Sequence, residues 1–430
     1  MQSHYQIKKL AEKFINHNFF FDSRLCTQNS VFVALETGER SGLEFIESAI
    51  KNGASVVVSQ KPININGIEN ILVEDSLVFI QDLAKCKFEI LKEKGVKTIC
   101  LTGSAGKTTT KELIATTLAE FGKVYATQGN YNNHIGVPMT ILNCPTNVNF
   151  LVLEMGMNHA GEISQLTQIA PCDFRLITNV GYAHTENFAN GITGILHAKF
   201  EIMQNGNGKT FVLEELHHKF LEDKILRKMY ENCEICVVSP QFESKIENEK
   251  TSFVFNGVEF VLDGIYSNSQ IAMFCLAIEV MQAVLGQKIL KIVLPKIKGR
   301  GENVLWKGVK LINDSYNANP LSMANSLENL RNYEGKKLCI LGQMRELGEN
   351  SKELHKNLES LLANFEGVYL VGEDFADVKP HAKIVKHFEN YANLKAFLFE
   401  NLEMLQEFDV ILVKASNGTL LWKLFDEVFI

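Results

Sequence analysis

The chain is short of most features that mark specialised proteins. No apolar run in its 430 residues approaches the roughly 20 needed to span a bilayer. The opening stretch, MQSHYQIKKLAEKFINHNFFFDSRLCTQNS, holds no apolar core of signal-peptide length, so a cytoplasmic location without membrane insertion is expected. Low-complexity tracts are missing and there are only 8 prolines, which leaves little room for disorder. A strong charge of either sign is missing too. The formal charge of −7 gives no electrostatic reason to expect DNA, RNA or an anionic membrane as partner, and small anionic substrates would need local basic sites. There is no disulfide framework, because nine scattered cysteines are an odd number in a chain of this length. Only Cys233 and Cys236, in CEIC, have metal-like or redox-like spacing. They lack a second ligand pair and run into the apolar stretch CEICVVSP, which reads as an ordinary strand.

What is present is a long alternation of strand-like and helix-like segments. A chain of this size exceeds what one core supports, and three domains are expected. SVFVAL (30–35) and ASVVVS (54–59) sit among amphipathic stretches and imply a small α/β domain over residues 1–90. A Lys-rich helix over 83–95 leads into VKTICLTG. FLVLEMG (150–156), FRLITNVG (174–181), KTFVLE (209–214) and EICVVS (234–239) then alternate with helical patterns, which implies a parallel sheet within a central domain, 91–290. SFVFNGVEFVLDG reads as a hairpin turning at Asn256-Gly257, and residues 269–286 as a helix. After a linker, LPKIKGRGENV, strands are expected near 310–315, 337–342, 367–372 and 409–416 in a third, Rossmann-like α/β domain, 291–430. A hinge is expected around 288–300.

The most informative stretch is LTGSAGKTTTKE, where an apolar strand ends in a Gly-rich turn that opens a helix. Gly103, Ser104, Ala105 and Gly106 let backbone N–H groups approach a nucleotide phosphate closely. Lys107 reaches the terminal phosphates, Thr108 can ligate Mg²⁺, and Thr109 extends the helix N-terminus that supplies partial positive charge. The spacing is shorter than G-x-x-x-x-G-K-[ST], but a strand before and a helix after supply the required context. Glu154 ends the strand FLVLE, where open parallel sheets place ligands, and can hold Mg²⁺ directly or through water. His184, in TNVGYAHTENF, also follows a strand, and Lys199 lies in the helical HAKFEI. Taken singly, both read as packing or solvated residues.

Taken in order, GxxGKTTT, GNYNNHIGVP (129–138), EMGMNHAGEI (154–163), TNVGYAHTENF (178–188) and AKFEI (198–202) resemble the central domain of the Mur ligases. NDSYNANPLSM (313–323), LGQMRELGENS (341–351) and VKAS (413–416) are similar to one branch, the MurF ligases, which add D-alanyl-D-alanine to UDP-N-acetylmuramoyl-tripeptide. DSR (22–24), VFVALETGER and FIESAIKNGASVVV extend the resemblance over nearly the whole chain. It implies an ATP-dependent ligase of peptidoglycan precursor synthesis, acting through an acyl phosphate and as a monomer. Thr108 and Glu154 would hold Mg²⁺, His184 a second Mg²⁺, and Lys199 would match an N6-carboxylated lysine. Asn133 and His134 would lie near the uridylated substrate, with Ser23 and Arg24 at its nucleotide. Asp314 and Asn317 would meet the base and ribose side of ATP, Arg300 its phosphates, and Lys414 the phosphates on domain closure.

The chain departs from the family pattern at Gln343, Ala415, Tyr266-Ser267 and Ser41-Gly42-Leu43, none of them an expected phosphate or metal residue. The competing readings are another Mur-type or folylpolyglutamate-type ligase, against which DSYNANP stands, and a P-loop switch or binding module. They separate on whether phosphate release needs both a UDP-muramoyl peptide and an amine.

Overall fold

A computed structural model describes residues 4–37 and 40–430; Gly38 and Glu39 of the VFVALETGER stretch lie outside the described residues. Three principal sheets follow one another along the chain. The first is four-stranded and parallel, in the spatial order Phe19–Phe20, Ser30–Val33, Ala54–Ser59, Glu69–Leu72. The helix Ser76–Glu93 covers it and starts earlier than its Lys-rich half suggests, because Asp75 accepts from the N–H groups of Leu77 and Val78. This helix runs through residue 90 and packs against both His4–Lys13 and Gly136–Leu142, so one continuous apolar core joins the first sheet to the second.

The central sheet has six parallel strands in the order Ile235–Val238, Lys209–Leu213, Phe174–Ile177, Lys97–Thr102, Phe150–Glu154, Val124–Ala126. The strand that enters LTGSAGKT is thus flanked by the strand ending at Glu154 and the strand leading to TNVGYAH. Connections leave toward opposite sides here, and such a switch point opens a crevice at the carboxyl ends of the strands. The opposite face is covered by the helix Asn268–Leu285, with Ile271, Phe274, Ile278 and Met281 in a second core. By length and composition this helix is apolar enough to cross a membrane, a property its interspersed Asn, Ser, Gln and Glu residues conceal in the sequence. Its apolar side is instead taken up by the central sheet and the helix Lys107–Leu118. The Asn-Gly hairpin forms as expected, with φ of 50° at Asn256 and 74° at Gly257. It belongs to a separate three-stranded sheet with Ser244–Glu247.

The third sheet has six strands in the order Glu302–Trp306, Val309–Asp314, Val410–Lys414, Lys337–Gly342, Gly367–Val371, Ile384–Phe388. Only the first pair is antiparallel. Apolar clusters cover both faces, as a doubly wound arrangement requires. All nine cysteines are free, and Cys236 lies in the strand Ile235–Val238.

Candidate functional site

The Gly-rich turn is built by its neighbours. Gly103 takes φ 153° and Gly106 φ 77°, backbone settings that favour glycine. The strand end beside it supplies the scaffold: Thr178 Oγ1 and Asn179 Nδ2 both donate to the Ala105 carbonyl, at 2.7 and 3.0 Å. Asn179 Oδ1 accepts from Ala105 N–H at 2.8 Å, and Ser104 Oγ donates to Gly181 O at 2.9 Å. The loop is therefore held before any phosphate arrives. Lys107 opens the helix and folds back to donate to Gly103 O at 2.7 Å. Burial pushes its ammonium below the ordinary lysine range; Glu154 opposes that shift and Arg300 adds to it.

Glu154 ends its strand only 2% exposed. Its Oε1 accepts from Asn132 Nδ2 at 2.8 Å, while Oε2 is buried with no hydrogen-bond partner. Thr102 Oγ1 is a second buried, unpartnered oxygen at the end of the P-loop strand, and Thr108 is also buried. Orphaned oxygens of this kind carry a desolvation cost until a cation or donor reaches them, so the donor set fits a hard divalent ion such as Mg²⁺. Lys199, on the helix Gly191–Phe200, is 1% exposed. Its ammonium is pushed well below the lysine range, first by burial and then by the positive charge of Lys107, with Glu201, Glu154 and Glu162 opposing. Lys107, Glu154 and Lys199 thus share one electrostatic neighbourhood.

The third sheet closes the crevice from the other side. Asp314 and Lys414 are register partners on adjacent strands, and Lys414 Nζ donates to Asp314 Oδ2 at 2.7 Å and to Asn317 O at 3.3 Å. Asn317 Oδ1 is engaged locally by Ala318 N–H, and Arg300 stacks 4.1 Å over the Tyr316 ring. Asn319 caps the helix Pro320–Arg331 and also donates to Ser104 O at 3.1 Å, tying the DSYNANP turn directly to the P-loop. A cavity of about 370 Å³ lies between the two, bounded by Gly106 and Thr109 on one side and by Arg300, Asp314, Asn317 and Lys414 on the other. His184 stands at φ 58° with Nδ1 2.6 Å from Glu346 Oε2, and Thr185 Oγ1 donates to Leu347 O at 2.9 Å. The hydrogen bond with His184 is the largest of the influences that hold the Glu346 carboxyl below its usual range, against the opposing effect of burial.

Four expected residues stand apart from this convergence. Ser23 is buried in a short turn whose carbonyl accepts from Asn52, and Arg24 is exposed, its guanidinium forked onto Asp22. Asn133 Oδ1 caps the turn into the helix Gly136–Leu142 by accepting from Ile135 and Gly136 N–H, and His134 is exposed. The residue of that loop that touches the site is Asn132, through Glu154. Sequence reasoning also passed over Lys111, which is fully buried and donates to Thr127 O, and Glu346, which meets His184 from 162 residues away. For Glu346 the only local signal was its place in LGQMRELGENS.

Residues 101–275 match the Mur ligase middle domain family, and residues 299–417 match the family described as Mur ligase, glutamate ligase domain. A UDP-N-acetylmuramoyl-tripeptide--D-alanyl-D-alanine ligase from Bacillus subtilis (strain 168) is 32% identical, covering 95% of this chain and 92% of that protein. A crystal structure of MurF from Acinetobacter baumannii superposes with a TM-score of 0.85 at 25% identity, covering 99% of this chain and 98% of that one. The MurF ligase from Thermotoga maritima in complex with ADP superposes with a TM-score of 0.81 at 28% identity, over 96% and 97% of the two chains. With 32% identity over 95% of its length, two matched domains and a solved MurF that superposes over nearly the whole chain, the chain belongs to the MurF family of Mur ligases.

Proposed function

We propose that this chain joins D-alanyl-D-alanine to the tripeptide carboxylate of UDP-N-acetylmuramoyl-tripeptide, using ATP, in peptidoglycan precursor synthesis. A carboxylate oxygen of the tripeptide attacks the γ-phosphorus and ADP leaves; the dipeptide amine then attacks the acyl carbon, phosphate leaves and the nitrogen gives up a proton. Two anions must meet, so the protein's task is to hold them and to neutralise developing charge. The preset P-loop amides and the helix N-terminus take the phosphates, and Lys107 is positioned to move from Gly103 O to a phosphate oxygen. Lys414, Arg300, Asp314 and Asn317 face the same cavity from the third sheet.

Thr108 and Glu154 would hold one Mg²⁺, and His184 with an N6-carboxylated Lys199 a second; bound there, the ions would supply charge neutralisation between phosphates and carboxylate. Burial pushes Lys199 toward the neutral amine form that can add CO₂, and intact mass after mild isolation tests that modification: an unmodified mass in the active enzyme would rule it out. Residues 1–90, with Ser23 and Arg24, would receive the uridine nucleotide and Asn133 and His134 would adjoin that substrate; residues 91–290 would bind ATP, and 291–430 would complete the site. Val293 is pinned to the helix Lys107–Leu118 through Thr116 and Thr117, so the hinge would lie in the remainder of the 288–300 linker. Domain closure there would exclude water from the acyl phosphate. The protein would act as a monomer in the cytoplasm without nucleic-acid or membrane partners.

The observation that carries this reading is the cavity shared by the P-loop and the DSYNANP turn, bridged by Asn319 and Ser104. Phosphate release tests it, with ATP and Mg²⁺ and the two acceptor substrates added separately and together. Release that needs both, yields a product heavier by one dipeptide unit and vanishes in Lys107→Ala supports the reading; release indifferent to both overturns it.

A further inference from the structure

One end of the shared cavity is set by the P-loop, where Met273 of the helix Asn268–Leu285 closes over Gly106. Three residues nearer that helix's N-terminus, about 4.5 Å along its axis, stands Gln270. Besides Gln270, the cavity is lined by the apolar and aromatic side chains of Ile265, Tyr266, Ile312 and Tyr333. A nucleotide with its phosphates at Gly106 would extend its base toward this slot.

The polar groups there have fixed orientations. Gln270 Oε1 accepts from the backbone N–H of Ser267 at 3.0 Å within the helix-capping box, so the amide cannot be turned over without losing that bond. The same oxygen accepts from Asn329 Nδ2 at 2.8 Å, across from the helix Pro320–Arg331. That bond in turn fixes Asn329: its amino group donates to Gln270, and its Oδ1 is a buried acceptor with no partner. Gln270 keeps Nε2 as a donor beside it. A buried acceptor left unpaired is costly, and a ligand donor removes that cost.

From this pair, and resting on the ATP-binding reading above, we infer that Asn329 is a specificity-determining residue for the nucleotide base, accepting from a 6-amino group of a purine with Gln270 holding it in that orientation. Adenine places an amino donor next to ring-nitrogen acceptors and so matches an acceptor beside a donor. A 6-oxo purine would set its carbonyl oxygen against Asn329 Oδ1, acceptor against acceptor. One turn before Asn329 on its helix, Asn325 Oδ1 accepts from Ser269 Oγ, so the two helices have a second polar bridge, and this one leaves no buried polar atom without a partner.

Calorimetric binding of ADP and of inosine diphosphate, which differ at this group, tests the assignment on the full chain. Wild type should prefer ADP, and Asn329→Ala should lose about tenfold in ADP affinity with little change for inosine diphosphate, the effect of one buried hydrogen bond. Gln270→Met should also narrow the preference, because Asn329 is then free to turn. Asn325→Ala breaks the neighbouring bridge and should weaken both nucleotides alike, which separates base recognition from helix docking. A wild type without preference, or an Asn329→Ala protein that keeps the wild-type ratio, overturns the assignment while leaving ATP dependence intact. ADP binding insensitive to Lys107→Ala would instead overturn the nucleotide site itself.

Discussion

Replacing Gly103 by alanine tests whether the P-loop is held by its neighbouring strand or only by its ligand. An added Cβ would lie 1.8 Å from Thr178 Oγ1, 3.0 Å from Thr178 Cβ and 3.1 Å from Asn179 N, where ordinary contact is about 3.5 Å. Thr178 cannot swing aside cheaply. Its Oγ1 donates to Ala105 O, and its backbone N–H donates to Thr102 O at 2.9 Å, directly after the paired strands end. Overpacking costs about 1–3 kcal/mol and a side chain at φ 153° another 1–3, so a loss of roughly 2–6 kcal/mol is expected. For a unit of this size that is a fall of about 5–20 °C in thermal midpoint. Gly129→Ala is the control, because its φ is 52° and nothing lies within 4 Å of the added carbon; it should show the backbone cost alone. Thr178→Ala removes the obstructing oxygen, so Gly103→Ala with Thr178→Ala should melt well above the additive expectation. Thermal unfolding with and without ADP reads all four proteins. A Gly103→Ala midpoint within about 2 °C of wild type would refute the reasoning.

Two further outcomes follow from buried charge. Asp314→Ala leaves Lys414, 2% exposed, without its carboxylate, and should cost about 3–5 kcal/mol; adding Lys414→Met should recover thermal stability but not ligase turnover, and a stable single variant would contradict the pairing. His355 is buried, its Nδ1 bonded to Ser351 O at 2.7 Å, so its Nε2 must accept from Met344 N–H at 2.9 Å. Burial lowers its pKa, against opposing effects of Ser351 and Asp374. The folded state therefore binds fewer protons than the unfolded one: this stability is fully present above about pH 6.5 and is lost as pH falls toward the depressed value. His355→Gln should flatten that acid limb in a series of melts, and an unchanged slope would exclude His355 as its source.

The parts of the fold that sequence revealed are those whose cause is local. LTGSAGKTTTKE announces a strand, a turn and a helix within twelve residues, and Asn256-Gly257 fixes a hairpin because both positions need positive φ. The first three residues of the strand Glu302–Trp306 were read as linker, since ENVLW sits on a sheet edge with only Trp306 fully buried. Ser244–Glu247 was missed for the same reason: none of its residues is buried, and it exists by pairing to Lys250–Phe255. The site divides along this line as well. Lys107 and Glu154 could be placed from strand ends, whereas Asn132, Lys111 and Glu346 act through partners fixed only when strands and domains assemble. The preference for Asn133 over Asn132 shows the limit most plainly. Both belong to one Asn-rich loop, but the first spends its oxygen capping the next helix and the second turns its amide to Glu154. Nothing in the composition of that loop distinguishes them; the distinction comes from the neighbouring strand, which ends in the carboxylate that Asn132 meets.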